Sequence, residues 1–575
     1  MTTMTLASMP TQTATGKRWR LRGRFPDDAL KDAPGQPLVR HLMWHRGVRT
    51  AAEAKAFAEA RDPANDALLL PDIEPALDRI VRAIEAGELI AVYGDFDVDG
   101  VTAAAILIEA LGEAGAKVIP YIPDRFSEGY GVNSAAIESL HEKGATLIIT
   151  VDCGTSSVAE IEAARGLAVD TIVIDHHTVP PELPPTVALV NPKRPDARYP
   201  ETELASGGLA FKLVSALCDR LGRPFAPERY LDLVALSTVC DMVPLRGENR
   251  WLVREGIRAL ARTPRPGLKA LMEAAGSDPA RVDASTIGFV IGPRLNAAGR
   301  LDHAQRALDL LLEADPDRAR EMALHLCELN RQRQAATAAA RDLARDLVAA
   351  EEPDAPLIFV GHPDIPAGIV GLVAARLMND HYRPAVVYEE GETTSRASCR
   401  SIPEFDITAA LRTCPALMVR FGGHRAAAGF TAENTNLPAL KEALVARAAQ
   451  ELAGVELVPV LDIDAAVPLS RVNGDLIASL ARLAPFGMGN PEPVFLSRGL
   501  EVTDVRTMGA DGEHLRLRLR DGQVTWPAVA FGIGDSDIEP GARLDAVYTF
   551  SADRGSNGAM ELHVLDFAPS SATVL

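Results

Sequence analysis

The sequence predicts an α/β protein with a doubly wound parallel-sheet domain, a long connecting helix, a smaller α/β domain and a C-terminal β domain. Three observations predict this architecture. Short apolar runs alternate with helical stretches between residues 88 and 177. A segment without glycine or proline follows at 317–352, and closely spaced β patterns begin near residue 456.

The first domain shows the rhythm of strands and helices that produces a parallel sheet covered on both faces. Its apolar runs are short and their flanks are polar or glycine-rich, which is typical of buried strands. The predicted strands are ELIAVYGD (88–95), KVIPYIP (117–123), TLIITVDCG (146–154) and DTIVIDHH (170–177), and the predicted helices are 101–116, 134–143 and 157–166. The helix-rich stretch 205–275 continues this domain.

A single long helix is predicted to connect this domain to the next. Asp315 and Pro316 are a suitable N-cap and first-turn pair, and Pro353 ends the segment. At 1.5 Å per residue the helix is roughly 50 Å long. Because this length exceeds one small domain, the sequence predicts a strut between two domains.

Two further units follow the strut. A second α/β unit is predicted from the strands 357–361, 385–390 and 395–401 and the helix 368–378. In the last unit HLRLRLRD (514–521) alternates strictly, and Asp521-Gly522 is a hairpin signal. Its short strands predict a small barrel or sandwich.

Composition narrows the functional classes. The 59 Lys and Arg residues against 78 Asp and Glu give a net charge of −19. This charge excludes a protein that coats nucleic acid with an overall basic surface, but it allows a local basic groove. No apolar run approaches the roughly 18 residues of a membrane span, so no membrane partner is expected.

The six cysteines occur singly, which indicates reduced thiols in the cytoplasm. The basic stretch 17–24 (KRWRLRGR) is expected to be a surface segment after a frayed terminus.

Three aspartates follow the first predicted strand. Asp95, Asp97 and Asp99 alternate in YGDFDVDG (93–100), and on an extended chain they point to one side. Their mutual repulsion is relieved by divalent cations, and carboxylate oxygens suit Mg²⁺ or Mn²⁺. A calcium loop of the EF-hand type does not fit, because position 12 counted from Asp95 is Ile106 where glutamate is needed.

More polar residues follow other apolar runs. Asp152 and Asp175-His176-His177 each follow a predicted strand, and Asp241 follows the run LVALSTV (233–239). In open parallel sheets ligands bind beyond the carboxyl ends of the strands, so these groups are predicted to share one crevice. A single aspartate after a strand is more often a helix N-cap. Four clusters at strand ends, with paired histidines, favour a metal site.

These motifs resemble the motif series of the DHH phosphoesterase superfamily. Further stretches narrow the resemblance to the RecJ family of single-strand-specific exonucleases, in chain order from about residue 70 to 570. They are PDRFSEGYGVN (123–133), CDMVPL (240–245), GPRLNAAGRLD (292–302), ELNRQRQ (328–334), GIVGLVAARL (368–377), FGGHRAAAGF (421–430) and APFGMGNPEP (484–493).

The resemblance implies five regions and an activity. The regions are an N-terminal segment (1–70), a DHH phosphoesterase domain (71–304), connecting helices (305–352), a DHH-associated domain (353–455) and an OB-fold nucleic-acid-binding barrel (456–575). The implied activity is metal-dependent 5′-to-3′ hydrolysis of single-stranded DNA to 5′-mononucleotides, in repair and recombination. The resemblance also implies a single-strand-binding protein and a helicase as partners.

Two Mn²⁺ or Mg²⁺ ions are implied, with a ligand set spread over the crevice. Smaller family members often place a histidine four residues before the first ligand aspartate, where this chain has Tyr93, so Asp95 is the expected substitute. A metal pair about 3.5–4 Å apart activates water and stabilises the attacking and leaving oxygens. The implied ligands are Asp95, Asp97 and Asp152 for one ion and Asp99, Asp152, His176 and Asp241 for the other, with His177 facing the scissile phosphate and Asp175 orienting the histidines.

Substrate contacts are implied by the same resemblance. Guanidinium groups bind phosphate oxygens in a bidentate way, which suits recognition of a 5′ end. Without the resemblance, surface ion pairs are the better explanation for the arginines of the 5′-phosphate site, and the histidine can be part of a glycine turn. Asn296 can equally cap a turn, and the barrel arginines can equally be the solvated face of a strand. The implied contacts are Arg125, Arg300, Ser398 and Arg400 for the 5′-phosphate, Asn296 and His424 for the substrate, and Arg516 and Arg518 with Arg520 on the barrel.

Alternative functions differ from a single-strand-specific exonuclease in the domains and the metal-ligand residues that they require. The principal alternative is a DHH-type oligonucleotide or cyclic-dinucleotide phosphodiesterase, which lacks the barrel and the strut. A non-catalytic DNA-binding scaffold is expected to lose ligand carboxylates, whereas every main ligand position is filled here. An inorganic pyrophosphatase does not require the additional domains.

Overall fold

The computed structural model describes residues 9–10, 12–26, 28–351, 353–509, 511–552 and 560–570. They divide into two compact units. One contains the described parts of 1–61, 456–486 and 490–575, and the other contains those of 62–455 and 487–489. Residues 1–8, at the expected frayed terminus, lie outside the described residues.

The N-terminal elements belong to the first unit. They are β1 (Arg18–Leu21), α1 (Pro37–His45) and α2 (Ala51–Glu59). The basic stretch expected to be a surface segment forms strand β1, whose Trp19 is buried and donates its indole N–H to Asp566 at 2.8 Å. Arg18 and Arg20 on the opposite side of this strand form ion pairs with Glu456 and Asp462. The basic charge of this strand is therefore largely paired.

The second unit starts with the expected parallel sheet. Its elements are α3 (Ile73–Ala86), β2 (Leu89–Tyr93), α4 (Val98–Ala114), β3 (Lys117–Tyr121), α5 (Ser134–Glu142), β4 (Ala145–Val151), α6 (Val158–Gly166), β5 (Asp170–Ile174) and β6 (Ala188–Val190). The strand order is β3-β2-β4-β5-β6, and every neighbouring pair is parallel. Leu147 and Ile149 pack into the core on one face, and Ile148 packs into the core on the other. Both faces are covered, which confirms the doubly wound fold.

Helices complete this domain and lead out of it. They are α7 (Ser206–Arg220), α8 (Leu231–Cys240), α9 (Gly247–Leu260), α10 (Pro266–Ala274), α11 (Ala284–Thr286), a π-helix (Ile287–Ile291), α12 (Gly292–Leu301), α13 (Gln305–Leu312) and α14 (Pro316–Glu351). The 36-residue α14 is the strut that the sequence predicts. Ala319 and Leu326 on its first half pack into the core of the parallel sheet, whereas Ala340 and Val348 pack into the core of the next domain.

The next domain, still within the second unit, is the smaller α/β domain that the sequence predicts. It contains β7 (Ile358–His362), α15 (Val370–His381), β8 (Ala385–Glu389), β9 (Thr394–Arg400), α16 (Ile407–Leu411), β10 (Arg420–His424), β11 (Ala427–Glu433) and α17 (Leu437–Glu451). The sheet order is β10-β11-β9-β8-β7. Only the pair β7–β8 of this sheet is parallel.

The C-terminal region is a closed five-stranded barrel within the first unit. Its elements are β12 (Val460–Ile463), β13 (Ala465–Ala466), α18 (Gly474–Ala481), β14 (Phe495–Met508), β15 (His514–Asp521), β16 (Val524–Ala530), β17 (Arg543–Ala552) and β18 (Met560–Pro569). Pairing of β14 with both β15 and β17 closes the ring. Leu515, Leu517 and Leu519 fill the interior while the arginines between them are exposed, as strict alternation predicts.

None of the described helices combines the length and the apolar character that crossing a bilayer requires.

We expect Gly256→Ala to destabilise the second unit. A methyl group at Gly256 would lie 2.3 Å from the carbonyl oxygen of Leu231 and 2.5 Å from Cβ of Ala235, so α9 could no longer pack against α8. The cost should be about 1–3 kcal/mol in the free energy of unfolding, measured by thermal unfolding.

The control is Gly112→Ala in α4, where nothing lies within 4 Å of the added methyl group. Because alanine is the better helix former, this variant should be neutral or more stable by about 0.5–1 kcal/mol. Equal unfolding temperatures for the two variants would contradict the close approach of α8 and α9.

Candidate metal and phosphate site

The crevice forms where three neighbouring strands end. Asp95 lies two residues beyond β2, Asp152 directly follows β4, and Asp175 directly follows β5. Because these strands are adjacent and parallel, their carboxyl ends meet at one edge of the sheet. Asp152 adopts a left-handed backbone conformation (φ 65°), which is uncommon outside glycine and often marks a functional position.

Two sequence expectations about local geometry are wrong, although the residues concerned still reach the crevice. Asp95, Asp97 and Asp99 are not on one extended chain, because Asp97 is the N-cap of α4 and Asp99 lies in its first turn. The Asp97 carboxylate accepts hydrogen bonds from the backbone N–H of Asp99 and Gly100. Asp241 does not follow a strand, since LVALSTV lies within α8 and Asp241 is its C-cap.

The first group of donors consists of Asp95, Asp97 and Asp152. One carboxylate oxygen from each lies within 4.8 Å of the others. Asp95 and Asp152 are 2% exposed, and a buried oxygen of Asp95 has no hydrogen-bond partner among the described residues. An unpaired buried carboxylate oxygen is costly unless a cation binds it.

The second group consists of Asp99, His176 and Asp241, next to Asp152. The Nε2 atom of His176 lies 3.2 Å from an oxygen of Asp152, 3.5 Å from Asp241 and 3.6 Å from Asp99. Both ring nitrogens of His176 are buried without a hydrogen-bond partner in the described part of the chain. Since Asp152 approaches both groups, it lies between them. Oxygen and imidazole donors of this kind fit Mn²⁺ or Mg²⁺.

The electrostatics of the crevice also favour cations. Burial raises the pKa of Asp95 and of Asp152, and the neighbouring carboxylates raise both further. Burial, together with Asp99 and Asp97, raises the pKa of Asp241 to about 8. These carboxylates therefore resist being charged together unless positive charge compensates them.

Asp175 is placed to orient the histidines. Its Oδ1 accepts hydrogen bonds from Nδ1 of His177 at 2.7 Å and from the backbone N–H of His176 at 2.8 Å. Burial alone would raise the pKa of Asp175, but the hydrogen bond and charge of His177 and the bond from Thr155 lower it overall. His177 is held with its other nitrogen directed away from Asp175, and its pKa is raised to about 9 because the bond to Asp175 outweighs burial.

Several residues that sequence reasoning missed support the ligands. Ser206 and Gly207, at the start of α7, donate their backbone N–H groups to the two oxygens of Asp99 at 2.8 and 2.9 Å. The hydroxyl of Ser237 donates to Asp99, and that of Ser206 donates to Asp152. The available signal was Ser206-Gly207-Gly208 before an apolar helix, because helix N-termini bind anionic groups.

Two tyrosines line the adjoining loop. Tyr93, at the position where smaller family members carry histidine, donates its hydroxyl hydrogen to the carbonyl of Gly131 at 3.0 Å. Its hydroxyl oxygen also accepts a hydrogen bond from the side-chain amide of Asn133, so Tyr93 contacts this loop at two positions. Tyr130, on that loop, is 54% exposed, and its hydroxyl lies 3.1 Å from Nε2 of His177.

A cluster of arginines lies where the domain of the parallel sheet meets the smaller α/β domain. Arg125 stacks over the ring of Phe96 at 4.6 Å, and Arg300 donates to the carbonyl of Gly368 at 3.1 Å. Arg400 donates to the hydroxyl of Ser398 at 3.0 Å. Burial lowers the pKa of Arg300 to about 9, and Arg125 and Arg400 contribute to this lowering by repulsion. The structure therefore brings these predicted residues together as a concentrated positive charge.

Glycines permit this close approach. A methyl group at Gly368 would lie 2.2 Å from the carbonyl oxygen of Arg300. At Gly371 it would lie 3.0 Å from the hydroxyl of Ser398 and 3.1 Å from the guanidinium of Arg400. The first turn of α15 and the arginine cluster are thus packed directly against each other.

The remaining predicted substrate residues are not part of this cluster in the described contacts. Asn296 is half-buried on α12, one turn before Arg300. His424 is exposed at the end of β10, and its carbonyl accepts a bond from Thr408. Arg516 and Arg518 are exposed on β15 of the barrel, where Arg516 lies 3.8 Å from Glu561.

Family models match three parts of the chain. The DHH family N-terminal domain matches residues 89–238, the DHHA1 domain matches 354–453, and the RecJ OB domain matches 463–565. The single-stranded-DNA-specific exonuclease RecJ of Bacillus subtilis is 37% identical over 553 residues, covering 95% of this chain and 70% of that protein. The RecJ of Escherichia coli is 36% identical and covers 83% of this chain and 86% of that protein.

This chain belongs to the RecJ family.

Solved RecJ structures match the fold, and they contain Mn²⁺ or Mg²⁺. The crystal structure of RecJ from Thermus thermophilus in complex with Mn²⁺ has a TM-score of 0.83 and 32% identity, and the match covers 96% of this chain and 80% of that one. The same protein is also solved with Mg²⁺. Another RecJ bound to manganese is 36% identical with a TM-score of 0.59, covering 68% of this chain and 98% of that one.

We expect Asp152→Asn to make the metal-free protein more stable and to weaken its response to metal. Asparagine tolerates the left-handed conformation and keeps the bond from Ser206, so the change removes mainly one charge from a repelling group. In chelator the variant should unfold at a higher temperature than the wild type. Added Mn²⁺ should raise its unfolding temperature much less. Asp346→Asn, at an exposed site on α14, is the control and should behave like the wild type.

We also expect Mn²⁺ affinity to rise with pH up to about 8. With its pKa raised, Asp241 holds a proton in the folded metal-free protein that the unfolded chain has already lost, so its contribution to stability falls as pH rises through about 8. Metal binding must displace that proton. Calorimetry in buffers of different ionisation enthalpy should detect proton release at pH 6–7 that declines above 8. An affinity that does not change between pH 6 and 8 would refute this linkage.

Proposed function

We infer that this chain is a metal-dependent 5′-to-3′ exonuclease that hydrolyses single-stranded DNA to 5′-mononucleotides in DNA repair and recombination. The observation that carries the inference is the position of two groups of carboxylate and histidine donors around Asp152, beside an arginine cluster that has no carboxylate partner among the described residues. Membership of the RecJ family supports the same activity.

The proposed catalytic groups have distinct tasks. Asp95, Asp97 and Asp152 hold one divalent cation, and Asp99, Asp152, His176 and Asp241 hold a second. When bound, the two ions supply an activated water and charge stabilisation for in-line displacement at phosphorus. Asp175 fixes the orientation of His177 through Nδ1, so that Nε2 of His177, which lies beside the hydroxyl of Tyr130, is directed toward the scissile phosphate. Ser206 and Ser237 hold Asp152 and Asp99 in place.

Direction of cleavage is assigned to the arginine cluster. Arg125, Arg300 and Arg400 have no carboxylate partner within ion-pairing distance among the described residues, so their charge remains for an anion. A terminal phosphate carries more negative charge than an internal phosphodiester. We therefore assign the 5′-phosphate to Arg125, Arg300, Ser398 and Arg400, with Asn296 and His424 as further substrate contacts.

The barrel is assigned to contacts with the single-stranded DNA substrate. Arg518 is exposed on the same face of β15 as Arg516, which suits contacts to a phosphate backbone without base reading. A smaller DHH phosphodiesterase would not need this barrel or the strut α14. A single-strand-binding protein and a helicase as partners, and a cytoplasmic location, are proposals that rest on the family.

The activity is tested by digestion of end-labelled single strands in Mn²⁺. The wild type should release 5′-mononucleotides from the 5′ end and should leave blunt duplex largely intact. Asp152→Ala should lose at least about 100-fold in rate, because it removes the donor that lies between both cation positions. Undiminished cleavage by Asp152→Ala, or release from the 3′ end, would overturn the inference.

We expect Arg400→Gln to slow cleavage of 5′-phosphorylated strands while leaving 5′-hydroxyl strands nearly unaffected. Loss of one charge-assisted contact to phosphate should cost about 1.5–3 kcal/mol, which is roughly 10- to 150-fold. The measurement is kcat/KM on the two forms of one oligonucleotide. Arg376→Gln, exposed on α15 of the same domain, is the control and should not discriminate. Equal slowing on both strands would remove Arg400 from the terminal phosphate site.

A further inference from the structure

The positive charge around Arg300 continues past the residues assigned to the 5′-phosphate. After burial, the repulsion that lowers the pKa of Arg300 comes from Arg125 and then from Arg333 on the strut α14. The pKa of Arg333 is lowered in turn by burial and by Arg294 on α12. Arg294 and Arg333 thus extend the row of like charges along the seam between α12 and α14.

Polar atoms in this seam lack partners. The Nε atoms of Arg294 and Arg333 are buried without a hydrogen bond to any described residue. Asn330, one turn before Arg333 on α14, is 3% exposed, and its side-chain oxygen is likewise unpaired. The Arg294 side chain donates from Nη1 to the carbonyl of Val290 in the π-helix, at 2.7 Å.

Other arginines on the same helix are paired in the ordinary way. Arg331 is exposed and forms an ion pair with Glu328, and Arg320 pairs with Asp317. Arg294 and Arg333 have no such carboxylate in the described part of the chain, although burial of an uncompensated charge is expensive. These two half-buried guanidinium groups, with buried Nε atoms and no carboxylate partner among the described residues, are suited to binding an anion.

The local backbone also marks this place. Arg294 follows the one-turn π-helix Ile287–Ile291, an irregularity that is frequent at functional sites. Arg294 lies in GPRLNAAGRLD (292–302), and Arg333 lies in ELNRQRQ (328–334). Neither residue has a role in the proposed metal site or in the proposed 5′-phosphate site.

We propose that Arg294, Asn330 and Arg333 form a second phosphate-binding subsite, which takes an internal phosphodiester of the single strand rather than its 5′-terminal phosphate. The proposal rests on the proposed nuclease function and deepens it. Two guanidinium groups bind the phosphate oxygens, and the amide of Asn330 donates from Nδ2 to the same group or to the adjoining sugar. The strand is thereby held along α12 and α14 as well as at its end.

The two sites make different demands on the strand. The terminal pocket, with Arg400 and Ser398, responds to the presence of a 5′-phosphate. The Arg294–Arg333 subsite responds to a phosphate inside the strand, whatever the 5′ end carries. A comparison of 5′-phosphate and 5′-hydroxyl oligonucleotides therefore separates them.

The experiment measures binding of a fluorescent 12-nucleotide strand in chelator, where no cleavage occurs, to the wild type and Arg333→Gln. Arg333→Gln should bind both the 5′-phosphate and the 5′-hydroxyl strand about 5- to 10-fold more weakly, and the slope of log affinity against log salt should shrink by about 0.7. Arg331→Gln, on the same helix but paired with Glu328, should change neither value. Arg294→Gln should reproduce Arg333→Gln.

Replacing single internal phosphates by uncharged methylphosphonates locates the contact. At one position the substitution should weaken binding to the wild type but not to Arg333→Gln, so the two changes are not additive. Additive losses at every position would overturn the proposal. So would a loss confined to the 5′-phosphorylated strand, since Arg333 would then belong to the terminal pocket.

Folding and alternative anions are controlled in the same series. Because Arg333 is unpaired and repelled by its neighbours, Arg333→Gln should unfold at the same or a higher temperature than the wild type without DNA. If Arg333→Gln unfolds at a lower temperature than the wild type, the binding measurements are made with Arg294→Gln instead. Stabilisation of the wild type by inorganic phosphate that Arg333→Gln abolishes, with unchanged DNA affinity, would assign the subsite to free phosphate and overturn the proposal. Mn²⁺-dependent digestion by the wild type is scored separately, so failure of the nuclease function and failure of the subsite give different results.

Discussion

The mutual repulsion of buried carboxylates is the constraint on which the active-site architecture depends. Asp95, Asp99 and Asp152 are each at most 2% exposed, and Asp97 and Asp241 crowd against them. No fold would gain stability from such a group alone, because burial and like charge both oppose ionisation. The surrounding donors, such as the N-terminus of α7 on Asp99, compensate only part of this cost. Bound cations would therefore relieve the repulsion among the carboxylates at the edge of the parallel sheet.

A second concentration of charge, of opposite sign, lies a short distance away within the same unit. The arginines around Arg300 repel one another as the carboxylates do, and no ion pair with a carboxylate compensates their charge among the described residues. In the proposed function, cations bound by one cluster and phosphates bound by the other would satisfy both. A chain with a net charge of −19 would then hold a polyanion by local attraction, against the repulsion of its overall charge.

The strut α14 makes this arrangement possible. Its first half belongs to the core of the parallel sheet and its second half to the core of the smaller α/β domain, so both domains share one rigid element. Direct contacts add to this, since Arg300 reaches the carbonyl of Gly368 and Arg396 reaches that of Phe126. The arginine cluster is therefore assembled from groups more than 250 residues apart in sequence, such as Arg125 and Arg400.

Local patterns in the sequence determined the elements and the chemistry of this protein. Apolar periodicity predicted the parallel strands, the long helix and the alternating strand β15, because burial on one or both faces depends only on nearby residues. The aspartate and histidine types, in family motifs, predicted the donors. Tertiary structure alone decided how they meet: Asp99 reaches the crevice from a helix and not from an extended chain, and Asp241 reaches it from the end of α8. It also supplied Ser206, Ser237 and Arg333, whose roles depend on neighbours that are distant in sequence and that no local pattern encodes.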